Sequence, residues 1–188
     1  PAGLIIATKD AQPIGFAHAG FGSDETGSQL DTQDGTTYRV LMHADHVDSA
    51  IEEELLHRSE AYLRSNGAKV LYGGGIRPLN GFYMGLYGGS ELPGILSSDP
   101  GQQHLFARCG YHPISRVVVL HCDLGYFRPS ISWQVRECSR QCKVQFTADP
   151  ASSTWWEACT VGCFDRFAYG LYERGMDLPS GEARFWFM

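Results

Sequence analysis

His43, Asp45, Asp48 and Glu52 gather a base and three carboxylates in the run Val40–Gly67, VLMHADHVDSAIEEELLHRSEAYLRSNG. The run reads as a short apolar strand, a tight polar turn and a long amphipathic helix. Such a turn aims backbone N–H groups and the positive helix end into the crevice beyond the strand, an arrangement that suits a phosphate. Six cysteines offer a second chemistry. Cys138/Cys142 and Cys159/Cys163 are i,i+4 pairs, each predicted to share a helix face. Four such thiolates are the donor set of a zinc site, but zinc sites favour shorter loops with turn-forming glycines. The pairs therefore read as buried or free thiols, with no metal expected, and Cys109 and Cys122 sit in apolar surroundings as core residues.

The elements that must position these groups follow from periodicity. In the helix, Ala50, Ile51, Glu54, Leu55, Arg58, Ala61 and Tyr62 recur at three- and four-residue spacing and predict the inner face. Glu52, Glu53, His57, Glu60 and Arg64 fall largely on the other side, and Asn66-Gly67 supplies a stop. Upstream, Gly3–Thr8 and Pro13–Phe21 predict antiparallel strands joined at Lys9-Asp10-Ala11-Gln12. Ser23–Gly35 (SDETGSQLDTQDG) reads as a surface loop and Tyr38–His43 as the next strand. Lys69–Tyr72 is a short buried strand, expected to lie parallel to Tyr38–His43 with the helix crossing between them. The glycine-rich connection PLNGFYMGLYGGSELPGIL has the length of a functional loop. Gly101–Cys109 predicts a helix closed by Gly110, and Ser115–His121 a strand.

After Arg128 the pattern starts afresh. Lys143–Thr147 predicts a strand, Thr154–Gly175 an aromatic-rich amphipathic helix, and Glu182–Met188 a further strand. The stripe Trp155, Trp156, Phe164, Phe167, Tyr169 and Tyr172 reads as packing rather than a ligand box. The expected division is therefore 1–128 and 129–188.

Composition bounds the function. The chain has 188 residues, 43% hydrophobic and 19% charged, as in soluble globular proteins rather than disordered ones. A net charge of -6 without a Lys/Arg cluster argues against a nucleic-acid partner. No apolar run is long enough to span a bilayer, and the opening PAGLIIATKD lacks a basic region and a long apolar stretch. The expectation is a cytoplasmic protein with no membrane partner. The missing initiator Met and the start inside a strand read as a fragment or processed product.

Strand, strand, strand, helix, strand, helix, strand is the order of the GNAT superfamily of acyl-CoA N-acyltransferases, and three segments resemble it. HADHVDSAIEEELL (His43–Leu56) is similar to the family's strand-to-helix segment, His-Pro-X-X-Arg-Gly-X-Gly-Ile-Gly-X-X-Leu-Leu. FARCGYHP (Phe106–Pro113) resembles the helix-end signature aromatic-X-X-X-Gly-Phe/Tyr. PLNGFYMGLYGGSELPG (Pro78–Gly94) resembles a loop of a bacterial subgroup with two lobes in tandem. The resemblance covers residues 3–124. It implies an α+β fold, a mixed, mostly antiparallel twisted sheet flanked by helices, with residues 129–188 opening a second lobe or docking on the first.

It also implies acetyl-CoA as co-substrate and an amine, small-molecule or peptide, as acceptor. The cradle for the pyrophosphate would comprise Leu41, Met42, His43, Val47, Asp48, Ser49, Ala50, Ile51 and Glu52. Here the chain departs from the pattern. Val47 replaces an Arg or Gln, and Asp48, Ala50 and Glu52 replace glycines. Each replacement adds a Cβ where the backbone would approach a phosphate, and an inward carboxylate 4 Å from a phosphate charge costs about 4 kcal/mol at an effective dielectric near 20. Facing solvent, the same acids would simply stabilise the first helical turn. In the family, a base takes the amine proton and a tyrosine protonates the leaving thiolate. That tyrosine position is Phe106, so His104 or Tyr111 is the candidate acid, and His43, with Asp45 beyond it, the candidate base. Asn80, Tyr83, Tyr87 and Glu91 would line the acceptor pocket. Two functions stay open: an N-acetyltransferase, or a non-catalytic lobe that serves as scaffold or partner to a second lobe or a second copy.

Overall fold

The computed structural model divides the chain into two units, Pro1–Val119 and Leu120–Met188, and describes residues 3–75, 94–116, 118, 124–126, 128 and 132–187. In the first unit, β1 (Leu4–Lys9), β2 (Gln12–Ser23), β3 (Leu30–Met42) and β4 (Val70–Gly73) form one sheet in that order. β1/β2 and β2/β3 are antiparallel and β3/β4 is parallel. The sheet is thus mixed and mostly antiparallel, with helices against it. Asp10 and Ala11 both take positive φ, 51° and 63°, the two-residue hairpin geometry whose twist matches its strands.

β3 starts earlier than the sequence suggests. The Asp24 carboxylate accepts from Ser28 N–H at 2.9 Å and from Thr26 Oγ1 at 3.0 Å, closing the loop within a few residues. Leu30–Gly35 is therefore strand rather than surface loop, because the turn needs only one acid to fold back.

α1 spans Ser49–Ser65 and buries Leu55, Leu56, Ser59 and Leu63. Its inner stripe is rotated from the one predicted: Ala50, Glu54, Arg58 and Ala61 are exposed. The reason is polar. Ser59 is fully buried and its hydroxyl meets that of Thr37 on β3 at 2.5 Å; a hydrophobicity pattern passes over such a residue. α2 runs Pro100–Arg108. Leu55 and Leu56 of α1, Leu105 and Phe106 of α2, and Ala17 and Val40 of the sheet form one cluster, so both helices cover the same sheet face. On the other face Ile6, Phe16 and Leu41 lie in one cross-strand row, with Ile6 and Leu41 54% and 43% exposed.

The two helices end alike. In α2, Gly110 N–H donates to Ala107 C=O and Tyr111 N–H to Phe106 C=O, with Gly110 at φ 87°. In α1, Gly67 N–H donates to Arg64 C=O and Ala68 N–H to Leu63 C=O, with Gly67 at φ 107°. Both are Schellman motifs, which place glycine at the left-handed position and join the flanking apolar residues. Of the predicted strand Ser115–His121, the described residues 115, 116 and 118 are not in a strand; the rest lies outside the described residues.

In the second unit α3 (Trp133–Gln141) precedes β5 (Cys142–Ala148), α4 (Trp155–Val161), β6 (Asp165–Glu173) and β7 (Gly181–Phe187), and β5-β6-β7 is an antiparallel sheet. The predicted helix Thr154–Gly175 is corrected here: α4 stops at Val161 and its second half is β6. Gly162 ends the helix, and DRFAYGLYE alternates aromatic residues suited to a strand. The aromatic stripe is accordingly split. Phe167 stacks on Phe185 at 5.0 Å and Phe146 meets Tyr169 at 5.4 Å across the sheet, while Trp155 and Trp156 stay on α4. No described helix is long and apolar enough to cross a membrane.

Candidate functional site

The crevice of the first unit arises from a bulge. His18 faces Arg39 but Ala19 faces Thr37, so Tyr38 is an extra residue on β3. The same point ends the parallel ladder. β4 pairs only with Asp34–Thr37, and Gly74 N–H makes the last rung to Thr37 C=O at 2.9 Å. β3 then continues to Met42 beyond the end of β4. The predicted parallel neighbours are therefore parallel, but the segment beside β4 lies upstream of Tyr38–His43. Because strand backbones alternate, Val40 and Met42 turn their polar groups away from β2, into the space β4 has left. A crevice at the carboxyl ends of parallel strands is where open α/β sheets bind ligands.

Gln102 reaches into that space. It is buried, and its amide nitrogen donates to Val40 C=O at 2.5 Å. Asp99 caps α2 by accepting from Gln102 N–H at 3.1 Å, and Pro100 occupies the first helical turn. Asp-Pro at a helix start is a readable signal; the predicted start at Gly101 passes over it. Nothing in the sequence marked Gln102.

The strand-to-helix connection contains a 3-10 turn, Ala44–His46, before α1. His43 caps that turn. Its N–H donates to Ile14 C=O at 2.7 Å, and its Nδ1 accepts from Asp45 N–H at 3.3 Å with the Asp45 carboxylate 3.6 Å away. Nδ1 cannot accept from an amide and hold a proton for the carboxylate at once. With the amide bond made, the Nδ1 lone pair is engaged. The ring is largely exposed, so turning it frees that lone pair.

Asp48 caps α1, accepting from Ala50 N–H at 2.8 Å, while its carbonyl takes Glu52 N–H at 3.0 Å. The chain's own carboxylate thus occupies an amide that a phosphate would need, and the fit of the cradle to a pyrophosphate is poor. Leu41, Val47, Ser49 and Ala50 are exposed around it, and Met42 and Ile51 are half-buried against the core. Glu52 is partly buried, and burial pushes its carboxyl above the usual range. Arg108 opposes that shift, whereas Asp48, Asp99 and Glu53 reinforce it. Arg108 itself pairs with Glu53 at 3.1 Å. Two helix N-termini capped by aspartates, with Glu52 nearby, make this end of the crevice negative.

The candidate acids lie elsewhere. Tyr111 closes the α2 Schellman motif, its ring edge-on to Phe106 at 5.0 Å. Its hydroxyl is buried, and burial together with the nearby Glu60 charge pushes its pKa well above the ordinary phenol value. Glu60 is two turns along α1 from Glu52, about 12 Å by helical rise, so Tyr111 serves the packing of the two helices. Phe106 presses its ring onto Gly73, where an added Cβ would meet it at 2.5 Å. His104 is on the solvent side of α2. Asn80, Tyr83, Tyr87 and Glu91 lie outside the described residues.

Among the described cysteines, Cys109 is half-buried beneath α1, and no His/Cys/Asp/Glu group able to hold a metal occurs among the described residues.

No family model matches the sequence, and no curated protein matches it. Several solved structures align. The apo aminoglycoside antibiotic 6'-N-acetyltransferase AAC(6')-IG from Acinetobacter haemolyticus does so at 11% identity and a TM-score of 0.41, over 63% of this chain and 68% of its own. Aminoglycoside N-acetyltransferase AAC(6')-Iy in complex with CoA aligns at 14% and 0.42, over 63% and 73%. The same enzyme with the bisubstrate analogue CoA-S-monomethyl-acetylneamine aligns at 14% and 0.42, over 63% and 67%. At these scores nothing about substrate or chemistry follows for this chain.

Proposed function

We propose that the first unit is an N-acyltransferase lobe of the GNAT kind, which carries an acetyl group from acetyl-CoA to a small-molecule or peptide amine. The observation that supports this reading is the parting of β3 from β4 at the Tyr38 bulge, beside the start of α1. Backbone of the half-buried Met42, turned away from β2, suits one hydrogen bond from an extended pantetheine arm, whereas the buried Val40 C=O is already taken by Gln102. The amine attacks the thioester carbonyl, the C–N bond forms and the C–S bond breaks. His43, turned off Asp45 N–H, takes the amine proton directly or through water. The leaving thiolate needs little help, since a thiol pKa of about 8.5 lets water protonate it. Asn80, Tyr83, Tyr87 and Glu91 would hold the acceptor. Residues 129–188 offer α3 and then strand, helix, strand, strand, and the part from β5 onward would be the opening of a second such lobe.

A second reading rests on a specific observation: Asp48, Asp99 and Glu52 bring negative charge to the pyrophosphate position, and Gln102 bonds to Val40 C=O. In that reading the lobe is a non-catalytic scaffold or interaction module. Calorimetric titration of the whole chain with acetyl-CoA, followed by thiol release in the presence of an amine panel, separates the two. Binding with amine-dependent thiol release supports transfer; binding without release, or no binding at millimolar acetyl-CoA, supports the scaffold.

A further inference from the structure

α3 ends on two thiols. Cys138 lies in its last turn, Cys142 is its C-cap, and Cys142 N–H donates to the Cys138 carbonyl. That bond sets the two α-carbons one helical turn apart, about 6 Å from the helical rise, inside the roughly 4.4–6.8 Å that a disulfide spans. On a continuous helix the Cβ atoms would stay about 5–6 Å apart, too far for a bridge. Cys142, however, leaves the helix with φ -115° and ψ 159°, which frees its side chain from that spacing. Burial and the neighbouring Cys138 thiol hold the Cys142 thiol above its ordinary range. Cys138 is exposed and Cys142 half-buried. α3 buries no residue of its own, so its last turn is fastened mainly where Cys142 opens β5 and pairs with Glu173.

We propose that Cys138 and Cys142 are a reversible dithiol–disulfide pair, oxidised by hydroperoxides, whose closure fastens the end of α3 to the start of β5. Cys138, the exposed sulfur, reacts first. Its thiolate attacks the peroxide, the O–O bond breaks, Cys138 becomes a sulfenic acid, and hydroxide or alkoxide leaves. The Cys142 sulfur then displaces the sulfenic oxygen. The S–S bond forms, the S–O bond breaks, and the Cys142 proton departs with that oxygen as water. Two thiols and one molecule of hydrogen peroxide give one disulfide and two waters; the sulfurs lose the two electrons that the peroxide gains.

The test uses the full chain, treated with hydrogen peroxide, alkylated and digested with trypsin without reduction. Cleavage after Arg136, Arg140 and Lys143 separates Glu137–Arg140 from Gln141–Lys143, so only a disulfide holds them together. The expected product is this linked pair, about 2 Da lighter than the sum of its peptides, and it disappears on reduction. In Cys142→Ser, Cys138 should accumulate as a sulfenic acid that dimedone traps; in the unaltered chain little label should appear. Recovery of the two peptides unlinked from a chain that keeps its circular dichroism would overturn the proposal. So would equal dimedone labelling of Cys138 with and without Cys142.

Discussion

Replacing Asp48 with Asn and Glu52 with Gln removes both charges while keeping their shapes. Asn caps a helix as well as Asp does, so the bond to Ala50 N–H survives in kind. Glu52 is an acid whose carboxyl is raised by burial and by Asp48, Asp99 and Glu53. Its charge therefore opposes folding at neutral pH, a penalty that fades as pH falls through the raised value. The double variant should fold at least about as stably as the parent. Its effect on an anionic ligand should be larger. A carboxylate 4 Å from a phosphate charge costs about 1 kcal/mol in bulk water and about 4 kcal/mol at an effective dielectric of 20. Asp48 is exposed and belongs near the lower limit; Glu52, half-buried, lies above it. Together they give at least about 2 kcal/mol, or roughly a thirtyfold fall in Kd. Calorimetric titration with coenzyme A at low salt reads it directly, and the gain should shrink at high salt, where exposed charges are screened. An intact double variant with no detectable coenzyme A binding would refute the pyrophosphate site. A gain indifferent to salt would refute the electrostatic account of it.

Three other outcomes follow from the packing. Ser59→Ala should cost about 1–3 kcal/mol in urea unfolding, because it strands the buried Thr37 hydroxyl; adding Thr37→Val should recover part of that loss. Gly110→Ala forces a Cβ into φ 87° and should lower stability by about 1 kcal/mol or more, leaving any coenzyme A affinity unchanged. In the second unit, burial pushes the Glu157 carboxyl up, but Ser153 N–H and Arg184 outweigh it and hold its pKa below the ordinary glutamate value. Its contribution is therefore present above the ordinary value and lost as pH falls through the depressed one. Glu157→Gln should be less stable than the parent at neutral pH, with the gap closing in acid melts.

Whatever depends on neighbours along the chain was legible in the residues alone. Alternation placed β1 and β2, the three- and four-residue period placed α1, and Gly67 and Gly110 placed both helix ends, since those signals come from local backbone chemistry. The acids at the start of α1 were legible too, together with the conflict they pose for a phosphate. What the sequence could not fix is anything set by a partner far away in the chain. Ser59 is core because Thr37 meets it, and this turns the inner face of α1 from the stripe hydrophobicity suggests. Tyr111 is packed edge-on against Phe106 with its hydroxyl buried, and His43 is tied to its own turn, so neither waits free at the crevice. Gln102 carries no motif, yet its side chain hydrogen-bonds the Val40 carbonyl from α2. The helix predicted over Thr154–Gly175 fails for the same reason: Phe167 and Tyr169 fit a helical stripe and a strand equally well. Only pairing with Phe146 and Phe185 across the sheet decides between them, because those ring-to-ring contacts form only when the segment is extended beside β5 and β7.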